Sequence, residues 1–128
     1  MTNGAPQVMV VDDDDDIRET VGMVLAASGY TAVPAFDGVD ALELLSDEGT
    51  HPSLILLDLR MPRLSGEQVI QQLRATPALA GIPVVVMSGD GGARETARAL
   101  GVASCLTKPI ELDDLERVVK AFAGAAHA

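Results

Sequence analysis

Five apolar runs of strand length, alternating with stretches of helical periodicity, restrict what this chain can fold into. The runs lie at 8–11, 30–35, 54–57, 82–87 and 103–107. Around them, apolar residues recur at helical spacing: Ile17, Val21, Val24 and Leu25; Val39, Leu42 and Leu45; Val69, Ile70 and Leu73; the stretch 93–100; and Leu112, Leu115, Val119 and Phe122. Strands that alternate with helices are joined by crossovers. The expected fold class is therefore α/β, a doubly wound five-stranded parallel sheet with five helices on its two faces. With two Phe, one Tyr and no Trp, the core must be aliphatic, which suits a sheet buried on both sides.

The chain has 128 residues, enough for one domain burying roughly two-thirds of its unfolded surface. A single domain over 1–128 is expected, with a core at about 6–123 and short tails, the Ala-rich C-terminal one frayed. Asp16, with Glu19 three residues on, has the capping-box pattern and is expected to start the first helix. Gly29, Gly49 with Pro52, and Pro62 with Gly66 punctuate the later elements.

A formal net charge of −10 argues against direct DNA binding, because phosphate backbones are held by Lys and Arg clusters. One Cys permits no internal disulfide, and with two His it supplies no thiolate–imidazole zinc set. The N-terminal MTNGAPQ has no basic stretch followed by an apolar one, and no apolar run approaches membrane-spanning length. A cytoplasmic location without membrane contact is expected.

In an open parallel sheet, ligands bind outside the carboxyl ends of the strands. Asp12 and Asp13 close the first run, Asp58 the third, Ser88 the fourth and Lys108 the fifth. Three carboxylates, a hydroxyl and an ammonium thus converge on one edge. Crowded carboxylates stay ionised only around a cation, and Mg2+, with Mn2+ as a substitute, suits an oxygen-ligand site that also takes phosphate oxygens. Asp58 would be the nucleophile, while the metal and Lys108 neutralise phosphoryl charge and Ser88 donates to a phosphoryl oxygen.

The segments VMVVDDDDDIRE, LILLDLRMPRLSG, VVVMSGD and CLTKPI, in this order, resemble the receiver domains of two-component response regulators, similar to the chemotaxis response regulator. The resemblance covers nearly the whole chain. It implies a flavodoxin-like strand order 2-1-3-4-5 and phosphorylation of Asp58 by a histidine kinase or a histidine phosphotransfer protein. It also implies metal ligation by Asp13, Asp58 and the Arg60 backbone carbonyl, with Asp12 acting mainly through water. Ser88 and Lys108 match the residues that contact the phosphoryl group, and Pro109 matches a proline that often follows a cis bond.

Three departures from the family pattern stand out. Cys105 replaces the usual switch aromatic, so output is expected to run through the glycine-rich loop 88–92. Arg60 and Asp90 are expected to pair beside the path of the attacking water and lengthen the life of the acyl phosphate. Gly89 stands where alanine is common and leaves room for the phosphoryl group.

Simpler readings fit other residues. Asp14 and Asp15 read as solvated or helix-entry residues, and the acidic run is no calcium loop because its sixth position is Ile17 rather than Gly. His51 and His127 lie away from the acids, so the donor histidine must come from another chain. Cys105 reads as a small half-buried apolar residue, and the loop 89–92 lacks the Lys-Ser/Thr ending of a nucleotide loop.

The expected function is therefore a stand-alone phosphoacceptor that is not an enzyme beyond its own phosphorylation and slow dephosphorylation. It would signal to an unknown downstream protein through the face of the fourth and fifth helices. The alternatives are a phosphorylation-independent scaffold and an aspartyl-nucleophile magnesium phosphatase. The latter usually needs a general acid two residues after its nucleophile, where this chain has Arg60.

Overall fold

The computed structural model describes residues 5–89 and 92–124. Ten elements alternate as β1 (Gln7–Val11), α1 (Asp15–Ala27), β2 (Thr31–Ala35), α2 (Gly38–Leu45), β3 (Pro52–Asp58), α3 (Gly66–Ala75), β4 (Val84–Ser88), α4 (Ala93–Leu100), β5 (Ser104–Thr107) and α5 (Leu112–Ala123). The strands form one parallel sheet in the order β2-β1-β3-β4-β5, the flavodoxin-like arrangement. Pro34, which cannot donate to a ladder, lies in β2 at the sheet edge, where a missing donor is tolerated.

Alternation along each strand sorts the core into two layers. Val8, Val10, Leu54, Leu56, Val85 and Met87 pack with Val21 and Leu25 of α1 and Leu115 and Val119 of α5. Met9, Val11, Ile55, Leu57, Val84 and Val86 face the opposite way, onto Ala41 and Leu45 of α2, Val69, Ile70 and Leu73 of α3, and Ala97 of α4. The central strand β3 is buried almost throughout, which explains why its sequence reads as a continuous apolar run.

Strand ends shift by one or two residues from the apolar runs, and Pro52, expected as a break, is the first residue of β3. Two further departures have a local cause. The cap of α1 is Asp14 rather than Asp16: Asp14 has extended backbone (φ −86°, ψ 114°), and its Oδ1 accepts from the amides of Asp16 at 2.9 Å and Ile17 at 3.3 Å. Asp16 already lies in the first turn, where its charge complements the helix N-terminus. With five successive acids, the Asp-x-x-Glu pattern did not define which one would cap. Strand β4 begins at Val84 rather than at residue 82, because Ile82 donates its amide to Leu79 O in a turn and Pro83 has none to donate.

Close backbone packing joins β3 to α3. A Cβ added at Gly66 would lie 2.7 Å from the Asp58 carbonyl oxygen and 2.8 Å from Leu59 Cα. At Gly49 an added Cβ would meet nothing within 4 Å. Gly66→Ala is therefore expected to destabilise the protein by about 1–3 kcal/mol in urea unfolding despite alanine's higher helix propensity, while Gly49→Ala stays near neutral. Truncating the fully buried Leu56 to Ala should cost about 2–5 kcal/mol in the same measurement.

Candidate phosphoryl and metal site

Strand ends place the expected residues together. Asp12 directly follows β1, and its amide donates to Ala35 O at the end of β2 at 3.2 Å. Asp58 and Ser88 are the last residues of β3 and β4. Lys108 follows β5, its amide donating to Ser88 O at 2.8 Å, and the Lys108–Pro109 bond is cis. Asp12, Asp58 and Ser88 are buried, while Asp13 faces solvent.

The carboxylate oxygens of Asp12, Asp13 and Asp58 lie within 4.8 Å of one another. Lys108 Nζ reaches in from the other side, 2.8 Å from Asp12 Oδ2 and 3.4 Å from Asp58 Oδ1. Asp12 Oδ1 accepts the Asp14 amide at 2.9 Å, so both oxygens of Asp12 are engaged by protein donors. Asp58 Oδ1 accepts a long bond of 3.4 Å from the Arg60 amide and lies in contact with Lys108.

Burial, and next the neighbouring Asp12 charge, pushes the Asp58 carboxyl above its ordinary value, and Lys108 only partly offsets them. For Lys108, burial acts to lower the pKa. The hydrogen bond and charge of Asp12, with Asp58 behind it, outweigh that effect and hold the ammonium above its ordinary value. The two directions are compatible because one ammonium is shared between two carboxylates and lies closer to Asp12. Counting Asp13, three carboxylates face one ammonium among the described residues, so this cluster, fully ionised, carries an excess of two negative charges.

A hard divalent cation fits this donor set, since the ligands are oxygen and the charge excess equals its own. Asp13 and Asp58 would hold it, with Asp12 close behind, and it would neutralise charge on an incoming phosphoryl group. An added Cβ at Gly89 would meet nothing within 4 Å, so protein crowding does not dictate glycine there. Asp90 and Gly91, and with them the expected Arg60–Asp90 pair and the centre of the loop 88–92, lie outside the described residues, as does His127. His51 is exposed just before β3, at the other end of the sheet from the acids.

Three residues beside the site were not singled out from the sequence. Arg18 donates through Nη1 to the Asp12 carbonyl at 2.7 Å and pairs with Asp15, bracing the turn after β1. Asp37, buried at 3% exposure, caps α2 by accepting from the Asp40 amide at 2.9 Å and pairs with Arg63. Burial works to raise the Asp37 carboxyl, but the Asp40 amide and Arg63 together hold it below its ordinary value. The Asp37–Gly38 step before Val39 was a cap signal available in the sequence. Its pairing with Arg63, across 26 residues, was not.

Comparison with known proteins agrees with this geometry. Residues 8–120 match the family model described as the response regulator receiver domain. The chain is 37% identical over 117 residues to Protein PilG of Pseudomonas aeruginosa, covering 90% of this chain and 85% of that protein. It is also 37% identical over 111 residues to the response regulator MprA of Mycobacterium ulcerans, covering 85% of this chain but only 46% of MprA. A crystal structure of a response regulator receiver protein from Pseudomonas putida superposes with a TM-score of 0.83 at 33% identity, over 94% of this chain and 99% of that one. With the family model spanning most of its length and the acids, hydroxyl and lysine gathered at one sheet edge, this chain belongs to the response regulator receiver domain family.

Proposed function

We propose that Asp58 accepts a phosphoryl group from the phosphohistidine of a histidine kinase or phosphotransfer protein, with Mg2+ (or Mn2+) bound by Asp13, Asp58 and the Arg60 carbonyl. The observation that carries this reading is the unbalanced charge around Asp58: a buried carboxylate beside Asp12 and Asp13, with Lys108 as the one ammonium bonded to the cluster among the described residues. An Asp58 oxygen attacks phosphorus, the phosphorus–nitrogen bond breaks, and the imidazole nitrogen leaves with the bonding pair. Lys108, drawn from Asp12 toward the new phosphoryl oxygens, and the Ser88 hydroxyl then hold the product. The domain turns over no other substrate in this reading.

The reading continues to output by protein contact, in the cytoplasm and without DNA or membrane binding. In support, no helix among the described residues is long and apolar enough to cross a membrane. The surface proposed for output is an open groove of about 420 Å³ between α4, β5 and α5. Half-buried Cys105 lies in its wall, and Arg94, Arg98 and Arg117 line it. Asp114 also lines the groove and pairs with Arg117, so three arginines and one aspartate give the lining a net charge of +2 on a chain of net charge −10, which favours an acidic partner segment.

Intact-protein mass after incubation with a small phosphodonor and Mg2+ tests the acceptor role. A single labile adduct is expected in the wild type and none in Asp58→Asn or with the metal chelated. No adduct under any condition would favour a phosphorylation-independent scaffold. Turnover of a phosphomonoester would favour the phosphatase.

A second expectation concerns pH. Because the folded-state pKa of Asp58 is raised, the unfolded chain ionises first: the cost in stability is absent below the ordinary 3.8, builds as pH rises above it, and is complete once pH passes the raised folded-state value. In chelator, Asp58→Asn should therefore be more stable than wild type at neutral pH, with the gap closing as the pH falls toward 3.8. Added Mg2+ should narrow the neutral-pH gap by binding the wild type more tightly. Thermal unfolding of both proteins across pH, with and without Mg2+, reads all three outcomes.

A further inference from the structure

The segment that joins β3 to α3 carries the Arg60 carbonyl and makes an abrupt turn three residues later. Leu64 donates its amide to Pro62 O at 2.8 Å, closing a three-residue turn centred on Arg63. Arg63 has φ +69°, the described non-glycine residue in the left-handed region. Such a conformation costs energy for a residue with a Cβ and persists where surrounding contacts over-determine it.

Those contacts are visible. Arg63 Nε donates to Asp37 Oδ2 at 2.8 Å, and Nη2 donates to the same oxygen. The guanidinium is about half exposed, but its partner is buried and is also committed to the Asp40 amide at the start of α2. The same junction is tight at the backbone: a Cβ on Gly38 would lie 2.6 Å from Val69 Cγ2 and 3.1 Å from Leu64 O. The turn after Asp58 is thus bolted to the N-terminus of α2, on the layer of the sheet covered by α2 and α3.

We propose that Arg63 and Asp37 form a positioning pair that holds the turn, and with it the Arg60 carbonyl, in the orientation a divalent cation requires. The pair touches neither cation nor phosphoryl group. It acts through the three-residue link from Arg63 back to Arg60, which is anchored on its other side by the Arg60 amide on Asp58 Oδ1 and by the Gly66 amide on Leu59 O at 3.1 Å. Partners of this kind, one step removed from the ligands, orient a metal site without joining it. The inference rests on the metal reading of the site.

Mg2+ affinity of the full chain, measured by titration calorimetry without phosphodonor, separates this role from simple electrostatics. Arg63→Gly abolishes the pair while easing the left-handed conformation, and Asp37→Asn removes the charge while keeping a side chain able to cap α2. If the two residues act only through their charges, losing a cation tightens Mg2+ binding and losing an anion weakens it. The positioning pair instead weakens binding in both variants, by about tenfold, the low end for such partners. The double variant should be no weaker than either single one, because both remove the same contact. Tighter or unchanged binding in Arg63→Gly, or additive losses in the double variant, overturns the proposal. A wild type that binds no Mg2+ overturns the metal reading as well, so the two failures are distinguishable.

Discussion

Two buried carboxylates share one ammonium at the end of the central strands, and the phosphoryl chemistry proposed for the domain rests on that imbalance. Lys108 lies closer to Asp12 than to Asp58, which leaves Asp58 the less compensated of the pair. A carboxylate in that position is a poor static ion-pair partner, because its desolvation is not repaid by the one long contact it makes to Lys108. It is well placed as a nucleophile, because any added positive charge or electrophilic phosphoryl group relieves the imbalance. In the proposed reading the same feature costs the resting fold stability and readies Asp58 for a phosphoryl group.

The sheet makes this arrangement sustainable. Asp12 and Asp58 end neighbouring strands, so their separation is set by ladder spacing and by the register that pairs Val11 with Leu57. The backbone bond from Lys108 to Ser88 sets the height at which the lysine enters. Two aliphatic layers, packed against α1 and α5 on one side and α2, α3 and α4 on the other, hold the strands from both faces. Energy stored as crowded charge at the rim is carried by apolar burial beneath it.

Around the rim, bracing contacts are distributed over segments that approach the site from different sides. Arg18 braces the turn after β1, Arg63 and Asp37 brace the turn after β3, and the groove beside Cys105 opens along β5. The small thiol of Cys105 borders space lined by arginines. Lys108 is adjacent in the chain to this surface, since Thr107, its neighbour, is the end of β5 and lines the groove.

Much of this was legible before the fold was known. The five strands, the five helices and the acids and lysine at strand ends follow from local periodicity and from where apolar runs stop, which neighbouring residues determine. Local signals failed where several residues competed: five consecutive acids hid which one caps α1, and Pro83 shortened β4. By itself the sequence determined the elements, their buried faces and the residues delivered to one edge. Tertiary structure alone decided that Lys108 binds Asp12 across 96 residues more closely than Asp58, and that Arg63 reaches Asp37 from a left-handed turn. The physical reason is range, since periodicity is a property of adjacent residues whereas the distribution of charge within a site depends on distances that exist only after the chain has closed.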